Sequence, residues 1–406
     1  MSIFLAVAGP GIIVMIADND AGGITTYAVT GAQFQYDLIW FILLLGPVAF
    51  VVQDMCVRLG AVTKRGHAEA IFDAFGSFWG WFSLIDLTAT DWLTIITEFI
   101  GMTAALSIFN IPKVLTVAVV IVVIMAMVLQ GRYWTWEKIV LVFCLLNFIY
   151  IPAAFIVHPS VSALLNGFIP HLPGFTPNLL FLLMANIGTT IAPWMIFFHQ
   201  SAVVDKGLKE KHMHYSEVDT GLGALGTVVT ATAIIIVTGA LLYPNSNIQS
   251  AAEAASKLIT ISPYVGSALA IGLFDAGLLG AIAISLASSW ALGEVFGWAH
   301  SLNTNVRQAP WFAILRAMIL ATAGTVVLLL SGSILVVITL FVQVIAVTLL
   351  PSAMVFLILL LNSEELVGKY KNKLWQNIAA TSIVSLILVL SLLYGVSILF
   401  PHLFGG

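Results

Sequence analysis

The sequence predicts an all-α polytopic membrane protein, and three observations carry the prediction. Of 406 residues, 60% are apolar and 8% charged, whereas about a quarter of an ordinary soluble domain is charged, so water is not the main solvent for this surface. The apolar residues fall in runs long enough to cross a bilayer, which takes about 20 residues at 1.5 Å each. Two of those runs are interrupted at corresponding places. Composition also excludes other classes. A net charge of −4 without a basic patch interleaved with aromatics offers nothing to a nucleic acid. Cys56 and Cys144, far apart inside apolar stretches, form neither a metal-ligand spacing nor a disulfide framework and read as small core residues.

Taken in order, the runs fall at 9–33, 37–60, 78–108, 112–130, 137–157, 177–203, 218–243, 262–298, 311–331, 333–361 and 374–400, which makes eleven spans. The start, Met1 to Gly11, lacks a basic segment and a cleavage site, so it leads into the first span. An odd count places the termini on opposite sides. The alternate loops 58–77, 131–138, 204–217, 299–316 and 362–373 hold Arg58, Lys64, Arg65, Arg132, Lys138, Lys206, Lys209, Lys211, Arg307, Arg316, Lys369, Lys371 and Lys373, against only Lys113 and Lys257 in the other set. Basic loops stay inside, so the amino terminus is expected in the cytoplasm and the carboxyl terminus outside. Compactness and short loops suit a bacterial plasma membrane. Trp134, Trp136, Trp298 and Trp311, near the cytoplasmic ends, read as interfacial anchors.

Interrupted helices mark binding sites in transporters. The first span reads Gly9-Pro10-Gly11 and then Asp18-Asn19-Asp20-Ala21-Gly22-Gly23, with acids and a glycine pair in mid-membrane. The sixth reads Gly188-Thr189-Thr190-Ile191-Ala192-Pro193-Trp194, where the proline removes a helical hydrogen bond and clashes with the preceding turn. The breaks are one five-helix unit apart. One transporter domain, 1–406, is therefore expected as a LeuT-like five-plus-five inverted repeat, 1–157 and 177–361, with 374–400 an additional helix.

A carboxylate at bilayer depth costs at least about 2.5–3.5 kcal/mol, so Asp20 must face protein or a cavity. No lysine or arginine is expected in the core of a span, which leaves a bound cation or a proton as its counter-charge. Unwound carbonyls around Ala21 to Gly23 and Thr189 to Ala192 would add neutral oxygens, and carboxylate, carbonyl and water form a hard-cation set. The bland alternative is a protonated, hydrogen-bonded Asp20 and a Pro193 that only kinks a packing helix.

These residues resemble the Nramp metal transporter family, whose first helix carries Asp-Pro-Gly-Asn and whose sixth carries Ala-x-x-Met-Pro-His. Counting from Gly9-Pro10-Gly11, the family's aspartate falls on Asp20 and its asparagine on Gly23. In the sixth span Thr189 stands for the alanine, Ala192 for the methionine, Pro193 for the proline and Trp194 for the histidine. Glu98-Phe99-Ile100-Gly101 resembles the third-helix acid motif, His199 the second histidine of helix six, and Gln343 and Pro351 the tenth-helix glutamine and proline. The resemblance covers spans one to ten and implies a metal site at Asp20, Gly23, Thr189, Ala192 and Gln343.

The departures fall on the ligands. Ala192 replaces a soft thioether and Gly23 an amide, which opens space and removes sulfur. Magnesium takes octahedral oxygen ligands and sheds its waters reluctantly. The chain is thus similar to the Nramp-related magnesium transporter branch, and the resemblance implies transport of largely hydrated Mg2+, with Mn2+ also accepted. Of the acids and histidine associated with proton movement in the family, one acid position is Ile95 and the histidine is Trp194. Uncoupled import down the electrochemical gradient is expected.

Other polar residues have two readings each. Asp18 lines the ion's entrance or caps the broken half-helix; Asp91 and Glu98 share a face of span three as a pathway remnant or as structural acids. Gln343 offers an oxygen to the ion's water shell or bonds between helices, and His199 packs more readily than it ligates. Ala21 and Trp194 flank the breaks; Asp275 and Glu294 in span eight line a pore or bond structurally. His212 and His214 belong to an ordinary solvated connection. No cofactor is called for, and a monomer is sufficient for transport, with oligomeric state left open. The competing functions are a proton-coupled manganese or iron importer, an amino-acid carrier on the same fold, in which Asp20 would repel the substrate carboxylate, and a membrane enzyme. The last has no HExxH or GxSxG signature.

Overall fold

The structure, a computed structural model, describes residues 3–129, 131–245 and 247–400. Met1, the end of the expected fourth span at Gln130 and the segment 401–406 lie outside them. Among the described residues every regular element is helical. Eight helices are long and apolar enough to cross a membrane: Ile39–Thr63, Tyr133–Ile156, Pro177–Asp205, Glu210–Leu241, Pro263–Phe296, Pro310–Leu329, Ile334–Asn362 and Leu374–Leu399. The other three expected spans are present in other form. The first is two short half-helices, Pro10–Ala17 and Ala21–Phe34. The third, His67–Ser107, is long but carries five acids, and the fourth, Lys113–Leu129, has 17 residues.

Several boundaries move, each for a local reason. The third helix begins at His67 rather than 78, with a break at Gly76, whose φ of 80° is a conformation glycine adopts at little cost. Pro310 occupies the first turn of the ninth helix, where its missing N–H is harmless. Arg316 is therefore nearly two turns inside that helix and not in a loop; it is 0% exposed, its guanidinium over the Phe312 ring at 5.4 Å. Lys206 is buried as well, bonded to Glu137 at 2.7 Å. Arg316 corrects the expectation of no basic side chain within a span, whereas Lys206 follows the last helical residue of the sixth span, Asp205; no ion pair joins either one to Asp20 among the described residues. Trp136 is also core rather than anchor, 1% exposed, while Trp134 and Trp311 are exposed. An unforeseen helix, Ala251–Ile261, buries Ala251, Ala254, Ala255 and Leu258 at helical spacing and is capped by Ser250, which accepts from the Glu253 N–H.

The sixth and eighth helices are enclosed by their neighbours, whereas the eleventh is mostly peripheral. Small residues let the central helices approach closely, as they do in membranes: a Cβ on Gly101 of the third helix would lie 2.3 Å from Ala21 Cβ, and one on Gly277 of the eighth 2.9 Å from the Glu98 carbonyl. The first, third and eighth spans thus meet backbone to backbone.

The basic loops gather on one face. Arg58 donates to Asn372, Lys206 to Glu137, the Leu302 N–H to Asp205, and the Tyr133 N–H to Asn303. At the other end Trp40 donates to the His171 carbonyl, Asn178 to Gln33, and Gln33 to the Ile248 carbonyl.

Candidate metal centre

The half-helix Pro10–Ala17, the inner half in the sense that it lies on the side of the basic loops, ends at Asp18, and the outer half-helix Ala21–Phe34 starts after Asp20. A carboxylate and a hydroxyl of the seventh span hold the two ends of Pro10–Ala17. Asp219 of the seventh span accepts from the N–H groups of Gly9 at 2.9 Å and Gly11 at 2.7 Å, satisfying otherwise orphaned donors at the positive end of the inner half. Thr227, two turns along the same helix, donates to the Met15 carbonyl, and Asn19 donates to the Thr227 carbonyl. Nothing in the sequence pattern pointed to Asp219.

At the break itself Asp20 is the cap: Oδ1 accepts from the Gly23 N–H at 2.6 Å. Asp18 therefore does not cap with its side chain; both its carboxyl oxygens are buried without a hydrogen-bond partner among the described residues. Ala21 to Gly23 form the first turn of the outer half-helix and present N–H groups, and the Gly22 carbonyl accepts from Thr26. This corrects the expectation of unwound carbonyls there. The oxygens that end a helix belong to the inner half, at Ala17 and Asp18.

The sixth span breaks as expected, between Pro177–Gly188 and Pro193–Asp205, with Thr189 and Ala192 bracketing the gap. Tyr27 of the outer first half-helix donates to the Thr189 carbonyl at 3.3 Å and accepts from Thr189 Oγ1 at 3.2 Å, tying the two breaks together. A Cβ on Gly23 would meet the Asp18 carbonyl at 3.1 Å, Asp20 Oδ1 at 3.4 Å and Thr189 Cβ at 3.5 Å. Residues from both breaks thus face Gly23, which puts no side chain between them. Gln343 joins them from the tenth span, its Nε2 1.8 Å from where a Gly22 Cβ would stand. Asp20, Gly23, Thr189 and Gln343 come together; Ala192, 6% exposed, uses its N–H on the Met195 sulfur.

Of the remaining acids, Glu98 belongs here. Its Oε2 accepts from the Ala21 N–H at 2.9 Å, and a Cβ on Gly280 would lie 2.7 Å from that oxygen and 3.0 Å from Asp20 Cβ. Asp91 is elsewhere, accepting from Ser288 at 2.6 Å, with buried Ile95 between it and Glu98. His199 bonds Gln53 of the second span at 3.0 Å as a packing histidine. Trp194 is buried against Phe198, which in turn meets Trp290 and Trp136, so aromatic rings fill the inner end of the sixth span. Among the described residues no three His, Cys, Asp or Glu side chains converge as a metal cage. The arrangement instead offers one or two carboxylates and backbone oxygens, with the Gln343 amide beside them, while the Met195 thioether at the break accepts from the Ala192 N–H. That donor set fits a hard cation that keeps waters.

Two helices interrupted at matched depth around such a donor set define a multi-pass membrane transporter rather than an enzyme. The chain belongs to the Nramp family: the family described as "Natural resistance-associated macrophage protein-like" matches residues 11–397. It is 28% identical to the divalent metal cation transporter MntH of Staphylococcus aureus over 96% of this chain and 90% of that protein. Its fold is that of the Eremococcus coleocola manganese transporter, with TM-score 0.78, 21% identity, and 97% and 86% of the two chains covered. MhsT in complex with L-phenylalanine shares the architecture at TM-score 0.60 and 14% identity, covering 95% and 98%.

Proposed function

We propose that the protein imports divalent metal ions, magnesium first and manganese also, and that the ion passes largely hydrated between Asp20, Gly23, Thr189, Ala192 and Gln343. The observation that carries this reading is the convergence at Gly23, where the Asp18 carbonyl, Asp20 Oδ1 and Thr189 stand 3.1–3.5 Å from the place a Cβ would take and glycine keeps a side chain from coming between them. An asparagine and a methionine at 23 and 192 would add an amide and a thioether as ligands; glycine and alanine add neither, so water completes the shell. A largely hydrated ion suits such a shell, because magnesium gives up water reluctantly. The divalent-metal relatives support the substrate class. Grouping of the basic loops on one face supports an amino terminus in the cytoplasm and a carboxyl terminus outside.

Transport is proposed to run without protons. Apolar Ile95 separates Asp91 from Glu98, and Trp194 stands where a titratable histidine would. A divalent ion crossing about −100 mV gains about 4.6 kcal/mol, at about 2.3 per charge, enough for a gradient of roughly 2,000-fold. One contact favours a second reading, proton-coupled manganese import: Glu98 adjoins Asp20 through the Ala21 N–H and could carry a proton. The test is influx into proteoliposomes containing the purified protein, with a magnesium dye inside and, in parallel, an internal pH dye. Saturable magnesium entry with unchanged internal pH is expected. Manganese entry with acidification, and none of magnesium, would establish the second reading.

A further inference from the structure

A second group of buried polar side chains lies on the opposite side of the eighth span from the metal centre. Gly277 and Gly280 of that span face Ala21, Glu98 and Asp20, whereas Gly272 faces Tyr150 of the fifth span, and Asp275 shares its side of the helix one turn on. A Cβ on Gly272 would lie 2.4 Å from Tyr150 Oη, so only glycine lets that hydroxyl reach the helix. The turn Asn147–Ile149, just before Tyr150, packs against the eighth span and brings Asn147 beside Asp275. Tyr150 lies within the field of the same carboxyl.

The fifth span is itself interrupted here. Its helix Tyr133–Leu146 tightens into a 3₁₀ turn, Asn147–Ile149, before Tyr150–Ile156 resumes. Pro152 accounts for this, because its ring and missing N–H disrupt the turn that ends at Phe148. A 3₁₀ stretch in mid-helix often marks a functional point. Asp275 is 3% exposed, Asn147 0% and Tyr150 1%. Yet both Asp275 oxygens, both Asn147 amide atoms and the Tyr150 hydroxyl are without a hydrogen-bond partner among the described residues.

We infer that Asp275, Asn147 and Tyr150 form a second cation site, between the fifth and eighth spans, that takes a monovalent ion such as sodium. Charge sets the valence. The site holds one carboxylate and otherwise neutral oxygens, so a single positive charge neutralises it, while a divalent ion would leave an excess charge at a depth where charge is costly. Spacing favours a metal ion over a proton. A protonated carboxyl would draw a neighbour to about 2.7–3.2 Å. Ligands about 2.3–2.6 Å from a hard cation are bridged by the ion rather than bonded to one another, and no hydrogen bond joins these three groups among the described residues.

Thermal unfolding of the purified full-length protein tests the site, in sodium chloride against N-methylglucamine chloride at equal ionic strength and pH, without divalent ions. A ligand that binds the folded state raises the melting temperature saturably. Sodium is expected to do so in the wild type and not in Asp275→Asn, and Tyr150→Phe, which keeps the ring, should weaken the apparent sodium affinity by more than about tenfold. The absence of a sodium-specific shift in the wild type, or an equal shift in Asp275→Asn, overturns the site; that is the result if a proton neutralises Asp275. Should Asp275→Asn fail to give a monodisperse protein, an unchanged sodium affinity in Tyr150→Phe overturns it alone.

Discussion

Glu98 Oε2 accepts the N–H of Ala21 at 2.9 Å, so an acid of the third span caps the outer half of the first beside Asp20. This bond gives Glu98 a positioning role separable from its charge. Glu98→Gln keeps an acceptor for Ala21 and should retain substantial influx, while Glu98→Ala leaves a buried N–H without its partner. The alanine variant is expected to lose about 0.5–2 kcal/mol of stability, as for a lost cap, together with most transport. Melting temperature and influx measured on both variants separate the effects; equal loss in both would assign the role to charge instead.

Longer side chains at positions 23 and 192 should change which ion passes. Gly23→Asn introduces an amide beside the Asp18 carbonyl, Asp20 and Thr189, and Ala192→Met a thioether at the break of the sixth span. Magnesium influx is expected to fall by at least about tenfold with manganese influx retained, since soft and partly dehydrating ligands suit the transition metal. Competition between the two ions in proteoliposomes reads the ratio directly.

Lys206 and Glu137 form an ion pair with side chains 1% and 2% exposed, and Lys206 also donates to the carbonyls of Val7 and Ala8 at 3.0 and 2.8 Å. Removing one partner leaves the other charge buried and should cost about 3–5 kcal/mol in Lys206→Met or Glu137→Gln. The double variant should recover part of that loss, which a double-mutant cycle on thermal or denaturant unfolding would detect.

At the opposite face His171 Nε2 lies 3.1 Å from Asp37 Oδ1. The Ile169 carbonyl on its other nitrogen, then the Asp37 carboxylate, raise its pKa above the ordinary value, with partial burial opposing them. A raised folded pKa stabilises the fold while the imidazole is charged, in full below about pH 6.5 and fading as pH climbs through the raised value. The melting-temperature difference between wild type and His171→Ala should therefore be larger at pH 6 than at pH 8; both side chains are 40% exposed, so the effect is small.

How much was legible in the sequence follows from range. The breaks were, because Gly9-Pro10-Gly11, Ala21-Gly22-Gly23 and Ala192-Pro193 act on their own turns. Which acid capped the outer half-helix was also within reach: Asp20 directly precedes that helix, the position where a carboxylate is favoured. Pro310 likewise marked a helix start that enclosed Arg316. Glu98 against Ala21, Gln343 against Gly22 and Asp219 against Gly9 were not, since each pairs residues from helices whose rotation about their axes is set only by packing. Asn147 and Tyr150 escaped notice for the same reason, although Pro152 signalled a local irregularity.

The most direct test of the account is magnesium influx into proteoliposomes under an imposed inside-negative potential, comparing wild type with Asp20→Ala at matched protein density. The account predicts saturable entry in the wild type and its abolition in Asp20→Ala, with the variant still monodisperse. Undiminished magnesium entry through Asp20→Ala would place the ion's path elsewhere and contradict it.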